Sequence, residues 1–294
     1  MMRPFDVISS DGVRLSASVT GPQDAPTLLL VHGYPDDRQV WDRLLPRLSR
    51  DFQVVTYDVR GSGASEPPSQ LHGYRLPQLA DDIFSVINAV SPGQPVHLVG
   101  HDWGGIQCWE AVTDPRAPDH IATYTCISGP CLDHVAHWLR NQARPGQITK
   151  LARQALKSWY IGAFHFPLLA PTLWRAGLGN HWHEILARVD GIADAPASDR
   201  TLDGVRGIAL YRRNVLPRLV KPQARHCALP VQLVIAERDR FVSPDMALSA
   251  TPWADDLSIV RIDAGHWLPL SHAQPLAEQI LNHTRRARSR ARAA

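Results

Sequence analysis

No apolar run in this chain of 294 residues approaches the roughly 18 residues of a membrane-crossing helix, so no spanning segment is expected. Cysteine is scarce. Cys108, Cys126, Cys131 and Cys227 are all there are, and none forms the short paired spacings of a metal site. No signal peptide precedes them, so a reduced, cytoplasmic protein is the expectation. Internal repeats are missing, and so is any low-complexity stretch before the C-terminus. A sustained excess of one charge is lacking too. The net charge of +3 depends on five arginines between Arg285 and Arg292, and removing those five leaves −2. The pI of 8.8 therefore describes residues 285–294, a basic tail expected to be disordered, and no nucleic-acid partner is implied. What is present is the composition of a globular protein with a sizeable core, 44% hydrophobic and 20% charged.

The pattern along the chain alternates. Phe5–Ser9 and Val13–Thr20 flank an Asp11-Gly12 turn and read as an antiparallel hairpin. Thr27–Val31, Gln53–Tyr57, Val96–Val99, Ile121–Ile127, Val231–Ile235 and Ser258–Ile262 are short, largely apolar runs, the pattern of strands buried on both faces. Helical stretches lie between them at about 40–48, 76–90, 104–112 and 275–283. Eight strands in a mostly parallel sheet with helices on both faces follow, an α/β class. Residues 133–227 break the alternation with tryptophans, prolines and helix-like stretches at 148–160, 182–189 and 202–214. A block of that size is too long for a loop and reads as an all-helical cap inserted above the strand ends, where such sheets bind ligands. The expected division is thus a core of 1–132 and 228–284, with 133–227 as the cap.

Chemistry concentrates at Leu98-Val99-Gly100-His101-Asp102-Trp103-Gly104-Gly105. An apolar strand enters a glycine-flanked turn before a helix, the nucleophile-elbow pattern, with aspartate where many hydrolases hold serine. A helix N-cap is the plainer reading of Asp102. As a nucleophile, an aspartate is ionised at neutral pH without a base to activate it. Attack on saturated carbon gives an alkyl ester, which points to epoxides or alkyl halides rather than esters or amides. The elbow order is nucleophile, acid, histidine, each after a strand. Asp239 follows the 231–235 run and His266 follows the 258–262 run, so Asp239 orienting His266 completes the set. Glu237, two residues earlier on the same turn, and Asp133, beyond the 121–127 run, compete with Asp239. Asp239 is preferred for its short turn and the following Ser243-Pro244. Asp263, a neighbour along the strand, points elsewhere. Backbone N–H groups of Tyr34 and Trp103 are the candidate oxyanion donors. Pro35 is a candidate cis residue.

With these residues in hand, the chain resembles the α/β-hydrolase-fold epoxide hydrolases over about residues 5–283. The elbow, His32-Gly33-Tyr34-Pro35 and Asp58-Val59-Arg60-Gly61-Ser62-Gly63-Ala64-Ser65 match that family's pattern. Haloalkane dehalogenases share these motifs. The cap separates the two, because an epoxide leaves as an alkoxide that needs a proton donor, whereas a halide does not. The resemblance implies two cap tyrosines, which fall on Tyr160, before Phe164-His165-Phe166-Pro167, and on Tyr211, in Tyr211-Arg212-Arg213-Asn214. Asp36 stands where the family often has Glu, and Leu210 where Trp is common. The Asn that many dehalogenases carry at the position of Tyr34 is absent, although the Trp103 indole could still serve a halide. The likeness is to the actinobacterial and mycobacterial type, in which a short-chain dehydrogenase domain can follow the hydrolase domain, and the expectation from residues 285–294 is a hydrolase domain without it. The implied reaction converts a small apolar epoxide and water to a vicinal diol, without metal or cofactor. Dehalogenation and ligand binding by a catalytically inert relative are the alternatives. The oligomeric state is open, a homodimer included.

Overall fold

The structure, a computed structural model, describes residues 2–142, 154 and 156–293. Eight strands, β1 (Arg3–Ile8), β2 (Arg14–Thr20), β3 (Thr27–Val31), β4 (Gln53–Tyr57), β5 (Val96–His101), β6 (Ile121–Ile127), β7 (Cys227–Ala236) and β8 (Ala254–Ile262), form one sheet. Their order is β1-β2-β4-β3-β5-β6-β7-β8. Only β2 runs against the rest, pairing antiparallel with both β1 and β4. The remaining pairs are parallel. The order reverses at β3, which lies between β4 and β5, so the loops after β3 and β5 part there and leave a crevice at the strand ends.

Alternation along each strand builds two cores. Leu29 and Val31 of β3 join Leu79, Ile83 and Trp109 on one face, while Leu28 and Leu30 join Trp41, Leu44, Leu276 and Ile280 on the other. The inner strands are buried throughout, as in β3 and β5. The edges are not. β8, the strand at one end of the sheet, exposes alternate side chains, unlike the doubly buried strand its apolar content suggests.

Two helices differ from expectation. The helix expected at 40–48 divides into a 3₁₀ turn, Arg38–Trp41, capped by the Asp37 carboxylate, and a short α-helix, Leu45–Leu48, with a proline in its first turn. Proline lacks the N–H that a continuous helix would need. The last helix runs Ala273–Ala293, through most of the tail expected to be disordered. Arginine and alanine are both strong helix formers, and no glycine or proline interrupts them. Arg290 also pairs with Asp256 of β8 at 2.6 Å. Part of the stretch expected at 148–160 lies outside the described residues. Between β6 and β7 the described residues form helices Leu132–Gln142, Trp159–His165, Leu169–Leu173, Trp182–Asp190 and Thr201–Val220 and contain no strand.

Candidate active site

Asp102 sits between β5 and helix Trp103–Val112 at φ 53°, ψ −123°. An L-residue at positive φ is strained, and only tight surroundings hold it there. The glycines supply that tightness. A Cβ at Gly104 would strike the Val31 carbonyl, one at Gly33 would strike the Asp102 side chain, and one at Gly129 the Asp102 carbonyl. The β3 and β5 loops can therefore close on each other. As a result the Tyr34 N–H donates to Asp102 Oδ1 at 2.8 Å. The Tyr34–Pro35 bond is cis, as considered from the sequence.

His266 lies at the end of β8, and Asp239 after β7. His266 Nδ1 meets Asp239 Oδ2 at 2.9 Å, and His266 Nε2 faces Asp102 Oδ2 at 3.4 Å. The other Asp239 oxygen accepts from the N–H groups of Phe241 (2.7 Å) and Val242 (2.9 Å). Both side chains are buried. Burial works against a charged His266, but the Asp239 and Asp102 carboxylates outweigh it and hold the imidazole well above its ordinary range. Burial likewise works against a charged Asp239, and the opposing His266 charge and its hydrogen bonds bring that carboxyl below its ordinary value.

The competing carboxylates are elsewhere. Glu237 is exposed and pairs with Arg261 at 3.6 Å. Asp263 pairs with Arg238. Asp133 is buried in a network with Arg218 (2.9 Å) and Arg225 (2.7 Å), which also hold Glu110.

Tyr160, from helix Trp159–His165, and Tyr211, from helix Thr201–Val220, sit edge to face with ring centroids 5.9 Å apart. Trp103 and Tyr34 pack on Tyr211 at 4.8 and 5.4 Å. Burial raises both phenols, Tyr160 and Tyr211, above their ordinary values, and the Asp102 charge adds to it. Both phenols stay protonated at neutral pH. Asp102, Trp103, Tyr160 and Tyr211 line one cavity of about 620 Å³, otherwise walled by side chains such as Ile106, Leu132, Val135 and Val215. That size and lining suit a small apolar ligand with a few fixed polar groups.

Three neighbours of the site carried no role in the sequence reading. His101 is fully buried beside His266, and its Nε2 donates to the His266 carbonyl at 2.9 Å. Burial and the nearby His266 push it down to about 4. Asp36 is buried and accepts from the Trp267 indole at 2.9 Å; burial pushes it up to about 6. Asp190, the last residue of helix Trp182–Asp190, accepts from the Trp267 N–H at 2.7 Å, in a space that exists because Gly265 has no Cβ. The position of His101 inside the elbow was an available signal, whereas Asp190 sits in no motif. Among the described residues no group of three or more His, Cys, Asp or Glu side chains is placed to hold a metal.

Comparison with known proteins gives the family. The α/β-hydrolase-fold family matches residues 26–273. A Mycobacterium tuberculosis protein named "Probable oxidoreductase EphD" is 35% identical over 289 residues, covering 93% of this chain and 48% of that protein. The chain thus spans about half the length of such curated relatives. Epoxide hydrolase 3 of Xenopus tropicalis is 34% identical over 166 residues, 56% of this chain and 42% of that one. A Bacillus megaterium epoxide hydrolase structure superposes with a TM-score of 0.80 at 22% identity, covering 96% of this chain and all of the other. The chain belongs to the α/β-hydrolase-fold family, and its likeness within that family is to the epoxide hydrolases.

Proposed function

We propose that the protein hydrolyses an apolar epoxide to a vicinal diol through an alkyl ester on Asp102, with the helical segment 133–227 acting as the cap. The observation that carries this reading is the placement of two protonated phenols, Tyr160 and Tyr211, in the same cavity as Asp102. An epoxide bound between them receives hydrogen bonds at oxygen. The Asp102 carboxylate attacks a ring carbon, a carbon–oxygen bond forms and the ring carbon–oxygen bond breaks. The departing alkoxide is a far stronger base than a phenolate, so it takes a proton from a tyrosine.

The ester is then hydrolysed. His266, oriented by Asp239, removes a proton from water, whose oxygen adds to the Asp102 carboxyl carbon. Negative charge develops on the Asp102 oxygen, where the Tyr34 N–H already donates and the first amide of the helix, that of Trp103, completes a pair of donors. On collapse of this intermediate the expelled diol oxygen takes the proton held by His266, and the proton of the resulting Asp102 carboxylic acid passes to the tyrosinate, so the diol leaves and both the carboxylate and the phenol return. The chemistry of a carboxylate nucleophile beneath two proton donors is what favours an epoxide over an alkyl halide.

The test is turnover of an aryl epoxide, followed by diol formation, beside halide release from a short haloalkane. Diol formation is expected, with its loss in Asp102→Asn and a slowing of about a hundredfold in Tyr160→Phe or Tyr211→Phe, the size of a lost proton donor. Halide release without diol formation, or full turnover in both tyrosine variants, would overturn the reading.

A further inference from the structure

The first half of the segment between β6 and β7 presents large apolar side chains to solvent. Leu156, Trp159, Phe166, Leu168, Leu169 and Leu173 are 48–80% exposed within 18 residues of chain. Leu216 and Val220, one turn apart on helix Thr201–Val220, are 53% and 75% exposed. Trp159 and Leu216 also line the cavity that holds Asp102, so this apolar surface is continuous with the cavity wall. A soluble protein seldom leaves such a cluster uncovered without a use for it.

Charge indicates what covers it. From His134 to His183 the sequence has no Asp or Glu, yet has six Lys or Arg, of which Arg140, Lys157 and Arg175 lie among the described residues. Exposed Arg175 is among them, and exposed Arg213 and Lys221 flank Leu216 and Val220. After the buried Asp133, the next acid of the segment is Glu184, which pairs with His181 at 3.0 Å. Apolar side chains in an acid-free cationic setting complement a lipid leaflet with anionic headgroups: the acyl boundary receives Trp and Leu, and the headgroups receive Arg and Lys. A second copy of this chain would instead set like charges against each other.

We propose that this face docks on an anionic lipid surface, with the cavity turned toward it, so that an apolar substrate dissolved in the lipid reaches Asp102 without crossing water. The docking stands whether or not the substrate is an epoxide. It is tested by sedimenting the full chain with vesicles of phosphatidylcholine containing about a third phosphatidylglycerol, and with phosphatidylcholine alone. Binding to the anionic vesicles is expected, weakened about tenfold or more on neutral vesicles or in molar salt. The variant Phe166→Ser with Leu168→Ser and Leu173→Ser, changed outside the cavity lining, is expected to lose about tenfold in vesicle binding and keep its turnover of a soluble substrate. The variant Arg175→Glu with Arg213→Glu leaves the apolar side chains intact and is expected to lose binding to anionic vesicles alone, which keeps the test decisive if the triple variant misfolds. No sedimentation with anionic vesicles, or undiminished binding in the charge variant, would overturn the proposal. So would a dimer in analytical ultracentrifugation that the triple variant abolishes while vesicles leave the chain in solution.

Discussion

His266 lies between two carboxylates, and that position gives the proposed reaction its timing. In the resting site the Asp239 and Asp102 charges overcome burial and favour imidazolium. Esterification removes the Asp102 charge and one of its acceptor oxygens. Two of the influences that raise His266 vanish, so its proton affinity falls when a base is needed. The sign follows: ester hydrolysis requires neutral imidazole, so its rate rises with pH through the His266 value in the ester form and levels off above it. Stopped-flow fluorescence of Trp103 and Trp267, which pack on Tyr211 and His266, separates ester formation from decay. A decay rate that nowhere rises with pH would contradict the role given to His266. At this scale the sequence was readable where the pattern is local: Gly100, Asp102 and Gly104 lie within five residues, and Asp239 and His266 each follow closely on a strand. His101 and Asp190 were not, because their roles depend on contacts with the His266 loop across 165 and 77 residues of chain.

The elements around the site are joined by a few buried polar contacts. Helix Trp182–Asp190 meets the β8 loop through Asp190 and the Trp267 N–H. Helix Thr201–Val220 is held at its start by Arg200, paired with Asp37 and Asp203, and at its end by Arg218 on Glu110 and Asp133. Asp133 thus ties helix Leu132–Gln142 to the end of helix Thr201–Val220 rather than orienting a histidine, and Glu110 links the same arginines to the sheet side. The Asp190 contact gives a simple prediction. Asp190→Ala leaves the Trp267 N–H without its acceptor and is expected to cost about 1–3 kcal/mol in denaturant unfolding. Asp190→Asn retains a side-chain oxygen acceptor and should recover most of that. Equal stability of Ala, Asn and parent would show that the contact contributes nothing. Element type was legible wherever a run was long and periodic, as at Leu76–Val90. Boundaries failed at Pro46 and in the arginine tail, where local helix propensity and the Asp256 pair extend a helix past the expected end.

Over the whole molecule, the reversal of strand order at β3 decides where chemistry can occur. It opens the crevice into which the β3 and β5 loops carry the Tyr34 amide and Asp102, while β7 and β8 deliver Asp239 and His266 to the same strand ends. The sheet fixes the lower half of the cavity, and the helical segment supplies Tyr160 and Tyr211 from above. Strand order cannot be read from hydrophobic runs alone, although the count of eight can, since each run states its burial but not its partner. The central claim is that Asp102, rather than water, attacks the substrate. It is tested most directly by a single turnover of an aryl epoxide in ¹⁸O-water with protein in excess, followed by mass spectrometry of the diol and of the peptide containing Asp102. The account predicts a first diol without heavy oxygen and one heavy oxygen in the Asp102 carboxylate; a labelled first diol with unlabelled Asp102 would contradict it.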